Sequence, residues 1–170
     1  MIKPSKIYVV IVLLLFNFQA LAALDAYMTI EVNGVGIQGD VTRAGFEDSF
    51  EVNEVHHLIK KSAQTEHKPL ILTTRMSKGM PLLFQALDQG KRVDLELKFI
   101  RPDGNSGQEE HFYTIKIENG KLVAAEPIML NNKYPEYLQH AVNVRLRFDY
   151  EKMEITYEDG GESVILTVPQ

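Results

Sequence analysis

HKPLILTTRMSKGMPLLFQALDQG, residues His67–Gly90, runs directly into KRVDLELKFIRPDG, residues Lys91–Gly104. An apolar strand with Pro69 near its start leads into a short helix over residues 78–89. Pro81 falls in the first turn of that helix, and Gly90 supplies a left-handed stop. Leu83, Ala86 and Leu87 form its buried stripe. The next segment alternates strictly: Val93, Leu95, Leu97 and Phe99 share one face, and Asp94, Glu96 and Lys98 the other, the period of a half-solvated strand. One helix is therefore set between strands.

The segments on either side read as strand and turn. Ala26, Met28, Ile30 and Val32 alternate with Tyr27, Thr29 and Glu31. A Gly-rich turn follows over residues 33–39, then a long polar strand or hairpin over residues 46–59 with Phe50, Val52 and His56 in one phase. Pro102 to Gly107 is a dense turn signal. Asn119-Gly120, between alternating runs at 111–118 and 121–130, predicts a tight hairpin. After a loop at 131–140, Val142, Val144, Leu146, Phe148 and Tyr150 occupy even positions, whereas Met153, Ile155 and Tyr157 occupy odd ones. A one-residue slip of that kind marks a bulge or bend, placed at Glu151-Lys152, and lets one strand pass between sheets. Asp159-Gly160-Gly161 turns the chain into a last strand over 162–168.

This order, and in particular KPLILTTRMSKGMPLL, YTIKIENGKLV and RFDYEKMEITYEDGG, resembles the haemolysin-coregulated protein (Hcp) family, the stacking tube subunits of bacterial type VI secretion. The resemblance extends from Tyr27 to Thr167. It implies a mainly β fold, a two-sheet β-sandwich or barrel with one short α-helix. It also implies protomers that close head to side into a homo-hexameric ring, with type VI secretion components or effector cargo as partners. Two departures stand out. Ser77 occupies the helix start where the family usually has Asp, and is expected to cap through its hydroxyl. Residues 56–67, where the family often carries a long loop used between stacked rings, are short.

The chain opens with Lys3 and Lys6, an apolar run from Ile7 to Phe16, and Ala20-Leu21-Ala22. This is the pattern of a secretory signal peptide over residues 1–22, cut between Ala22 and Ala23, and too short for a stable membrane span. Residues 23–170 are then a single domain in the periplasm or outside the cell. Loss of the leader takes two lysines and no acids, so 18 basic residues become 16 against 23 acidic. That balance excludes a basic nucleic-acid footprint. With no cysteine in 170 residues, neither a disulfide nor a thiolate metal site can form.

Candidate chemistry is sparse. Gly34-Val35-Gly36-Ile37-Gln38-Gly39 matches a dinucleotide fingerprint, but no helical pattern opens at the third glycine to hold a pyrophosphate, so the glycines serve a turn. His56, His57 and His67 cluster near Glu54 and Glu66. Adjacent residues on a strand face opposite ways, so a shared zinc ion is disfavoured and a solvated loop expected. His111 and His140 stand apart. No G-x-S-x-G elbow occurs. Asp94 and Glu96 share a strand face, where alternating charges are normally solvated; that row and the opposite-sign row Arg145/Arg147 can pair between strands or across a subunit boundary. No catalytic, metal or cofactor residue is assigned, and the protein is expected not to be an enzyme. Large apolar groups in polar slots mark the expected subunit interface: Ile100, Phe112, Tyr134, Tyr137 and Leu138.

Overall fold

The computed structural model describes residues 24–104 and 108–168. The leader, with the Ala22-Ala23 cleavage site, lies outside the described residues, as do residues 105–107 of the turn after Pro102. Among the described residues, eleven strands and one α-helix follow one another as β1 (Asp25–Val32), β2 (Val35–Ile37), β3 (Phe50–His56), β4 (Ile59–Lys61), β5 (Thr65–His67), β6 (Leu70–Arg75), α1 (Met80–Asp88), β7 (Arg92–Pro102), β8 (Glu109–Ile128), β9 (Asn143–Asp149), β10 (Lys152–Tyr157) and β11 (Glu162–Thr167). The strands β8, β7, β1, β3, β6 and β9 pair in that order, and β9 returns to pair with β8, closing a six-stranded barrel. β10 and β11 extend the sheet from the first half of β8, β2 folds back on β1, and β4–β5 form a separate hairpin. Closure removes the open edges that an isolated sheet would present.

The alternation read from the sequence points one face of each barrel strand inward. Met28, Phe50, Leu70, Leu72, Leu97, Leu146 and Phe148 are fully buried, each contributing about 1.5–3 kcal/mol of burial free energy. The helix adds Met80, Leu83 and Ala86 to the same core, with Leu87 partly buried against it. Gly90 adopts φ 59°, and Lys91 N–H bonds the Ala86 carbonyl at 2.9 Å, the expected stop.

Three local expectations are corrected. Asn119-Gly120 is not a hairpin: β8 runs unbroken for 20 residues. Asn119 has φ 52° but Gly120 is not left-handed, and a type I′ turn needs both. The pair is instead a bulge, in which the Asp94 carboxylate accepts the Asn119 N–H at 2.8 Å. It moves the inward phase of β8 from Ile115 and Ile117 to Leu122. The slip after Tyr150 lies directly across, since Glu118 pairs with Lys152 and Lys121 with Asp149. Both chains thus turn the same corner together, one leaving the barrel for β10 and the other leaving β10 for β9.

His56 does not share the phase of Phe50 and Val52, because a register shift between Val52 and Glu54 turns it outward. Ser77 does not cap the helix: Gly79 holds that position, and the buried Ser77 hydroxyl has no hydrogen-bond partner among the described residues. Within the protomer, Asp94 and Glu96 pair with Arg92, Lys98 and Lys116 rather than with Arg145 and Arg147, and Arg145 pairs with Glu126. The glycine fingerprint resolves into structure: Asn33 and Gly34, φ 51° and 77°, make the two-residue turn between β1 and β2. A Cβ on Gly39 would lie 2.1 Å from the Ser49 carbonyl oxygen, so that glycine serves a backbone crossing.

Candidate assembly surface

The outer barrel wall is a set of charge pairs satisfied within the chain. Glu96 on β7 receives Lys98 at 3.2 Å and Lys116 from β8 at 3.1 Å. Burial pushes its carboxyl up, but the hydrogen bonds from Lys116 and Lys98 outweigh that and hold it below its usual range. The same contact raises Lys116. Asp94 pairs with Arg92 at 3.1 Å, and Arg145 with Glu126, its cross-strand neighbour, at 3.5 Å. Arg43 donates to Asp25 and to the Tyr27 hydroxyl, each at 2.9 Å, and also pairs with Glu109. Its pKa is raised, chiefly by the Tyr27 hydrogen bond. Rows of this kind set solubility and register and contribute little each, about 0–1 kcal/mol.

Against that wall the five expected interface residues divide. Ile100 is corrected: it is 4% exposed. It keeps the outer phase of β7, in unbroken register opposite Asp25 of β1, because the shift beside it skips Phe112 of β8; it is covered on that face and does not join the barrel core. Phe112 is half-buried in an aromatic cluster with Phe99 and Tyr113. The Arg101 guanidinium lies 4.5 Å from its ring centroid, tied there by Glu110 at 2.5 Å and the Tyr157 hydroxyl at 3.2 Å.

Tyr134, Tyr137 and Leu138 stand on a loop built round a 3-10 turn at Pro135–Tyr137. Tyr134 is 54% and Leu138 66% exposed, and Met129, Leu130 and Val142 are exposed on the same connection. Several apolar groups on one connection exceed the scattered singles of an ordinary surface. Sequence reading missed a second apolar strip, Val164 and Ile165 of β11. β11 pairs only with β10, and its other edge is unpaired by any described strand. The signal was present in the ESVILTV run, but only the topology makes that strand an edge.

The histidines also require correction. His57 and His67 are not loosely solvated: His57 Nε2 and His67 Nδ1 each lie 2.9 Å from the hydroxyl of Tyr150, whereas His56 is exposed. Burial pushes the Tyr150 phenol up to about 12. Among the described residues, no group of three or more His, Cys, Asp or Glu is placed to hold a metal ion, and no helix is long and apolar enough to cross a membrane.

Residues 27–157 match the family model described as type VI secretion system effector, Hcp. The chain is 28% identical to the major exported protein of Pseudomonas aeruginosa, over 83% of this chain and 93% of that one. Among solved structures, an Hcp protein superposes with a TM-score of 0.79 at 27% identity, covering 87% of this chain and 99% of the other. The secreted protein Hcp3 from Pseudomonas aeruginosa superposes at 0.75 with 25% identity, covering 87% and 100%. With a barrel that spans essentially the full length of these relatives and a family match over most of its residues, the chain belongs to the Hcp family of type VI secretion proteins.

Proposed function

We propose that this chain acts as an assembly protein: its protomers close head to side into a ring of six that stacks into a tube or carries effector cargo. It makes and breaks no covalent bond. The observation that supports this most directly is the contrast on its surface. The wall charges find partners within the protomer, while Tyr134, Leu138, Val164 and Ile165 stay exposed on one loop and one sheet edge. Heterologous contacts between different patches of identical copies close into rings when the rotation permits. Tyr134, Tyr137 and Leu138 supply one such patch; Phe112, near the opposite end of β8, belongs to a separate aromatic cluster. Ile100, buried in the protomer, has no part in it.

Residues 1–22 act as a leader removed between Ala22 and Ala23, delivering the single domain of residues 23–170 to the periplasm or the exterior. Mass spectrometry of the protein recovered from cells tests this, and an intact Met1 would refute it. Multi-angle light scattering of the processed protein tests assembly, with a species of about six chain masses expected. The leader favours a second reading, an exported binding module with the same barrel and no ring. A monomer that persists at high concentration would select it over the first.

A further inference from the structure

The β4–β5 hairpin has no ladder to the barrel, and all its residues but His67 are exposed. Lys68 N–H bonds the Leu58 carbonyl at 3.0 Å across its base. A cavity of about 620 Å³ opens between it and β11, and another of about 420 Å³ beside the residues at its base. Its tie to the barrel is the Tyr150 hydroxyl, which meets His57 before the hairpin and His67 at its end, both at 2.9 Å. Tyr150 sits at the corner between β9 and β10 and is 7% exposed.

A phenol has one proton to donate and two lone pairs with which to accept. A neutral imidazole has one N–H and one ring lone pair, so with both rings neutral one of the two nitrogens accepts the phenol proton and the other donates its N–H to the phenol oxygen. All three groups are then satisfied, and they stay satisfied with one extra proton, because the phenol can donate to whichever ring keeps a lone pair. When both rings are protonated, both nitrogens are donors, and the Tyr150 proton has no acceptor at a buried hydroxyl. We propose that His57, Tyr150 and His67 form a proton-operated latch that docks the β4–β5 hairpin on the barrel at neutral pH and releases it in mild acid.

The surrounding charges act in the same direction. Lys61 lines one cavity, and His56, Lys68 and Arg147 the other. No carboxylate lines either, Asp149 and Glu151 beside Tyr150 in the chain included, and Glu66 is paired with Lys68. Burial, then the neighbouring His67 ring, lower the His57 pKa below its ordinary value, against the opposing pull of the Lys68 carbonyl. The docked state therefore binds fewer protons than the released one. Its stabilisation is complete above the released-state value of about 6.5 and is lost as pH falls through the docked value. The latch operates within one protomer and does not depend on ring formation.

Hydrogen exchange on the purified protein, corrected for intrinsic rates, tests it. Between about pH 7.5 and about pH 5, protection of the hairpin amides and of Lys68 N–H should fall roughly tenfold or more, while the β1–β7 ladder stays protected. Tyr150→Phe should show the released hairpin at both pH values. His57→Gln keeps an acceptor that cannot gain a proton in this range, and should keep the hairpin docked at about pH 5. Equal hairpin protection at the two pH values in the native protein would overturn the proposal, as would an acid loss in His57→Gln matching the native one. The native and His57→Gln pair decides the matter even if Tyr150→Phe fails to fold.

Discussion

Two Asn-Gly pairs in this chain do different work. Asn33-Gly34 is left-handed at both residues and turns β1 into β2; Asn119-Gly120 is left-handed only at Asn119 and bends β8 without stopping it. The dipeptide itself does not distinguish the two. What decides is the conformation of the second residue, and Gly120 is held by its surroundings. A Cβ there would meet Ile117 Cγ2 at 2.8 Å and the carbonyl oxygens of Val93 and Asp149 at 2.9 and 3.0 Å, so backbone closes in from both neighbouring strands. Gly120→Ala should lower stability by about 1–3 kcal/mol, read as a fall in the urea midpoint. Gly36→Ala, whose Cβ meets nothing within 4 Å, should stay within about 0.5 kcal/mol of the parent. Equal effects at the two sites would contradict the close approach.

At the scale of elements, the periodic strands and the helix were legible because burial repeats with the backbone. β1, β6, α1, β7 and β9 appear where period and punctuation place them. The errors fall where tertiary contacts override the local period: His56 lies just beyond a register shift, which moves a side chain to the other face, and Ile100 keeps its outer phase but is covered there by the rest of the chain. The exposed apolar loop was legible in part, since Tyr134 and Leu138 interrupt a polar run. The His57–Tyr150–His67 contact was not, because the residues are 83 and 93 positions apart. The start of α1 likewise depends on tertiary partners. Lys78 Nζ pairs with Asp48 at 2.9 Å, and a Cβ on Gly79 would meet the Gln38 carbonyl oxygen at 2.5 Å. Ser77→Ala should accordingly leave stability unchanged or raise it by up to about 1 kcal/mol, because an unpartnered buried hydroxyl is lost; a loss above that in thermal unfolding would restore its role as a cap. On β7, the lowered pKa of Glu96 means that its pairing stabilises the fold above the ordinary carboxyl value and fades as pH falls through the folded one. Glu96→Gln should cost about 0.5–1 kcal/mol near neutral pH, a figure reduced for its partial exposure. The difference from the parent should vanish in acid, as measured by urea unfolding at a series of pH values.

For the molecule as a whole, the choice is between a ring and a free module. Leu138→Asp places a charge on the exposed loop without touching the core. The variant should unfold at the parent's midpoint yet shift in light scattering from the assembled species to the monomer. Ile165→Lys, on the open side of β11, should do the same if that edge meets a neighbouring copy. Unchanged assembly in both variants would move the contact elsewhere.

The place of β1 in the closed barrel sets the tempo of folding. This first strand is flanked by β3 and β7, so most of its backbone partners lie on residues 93–100, and the barrel cannot shut until β9 meets β8 near residue 149. A chain whose earliest segment is its keystone remains slack through most of its synthesis, since distant pairings must wait for their partners. If the proposed leader directs the chain to a translocation channel, that delay is an asset: the thread stays passable until nearly all of it has been made.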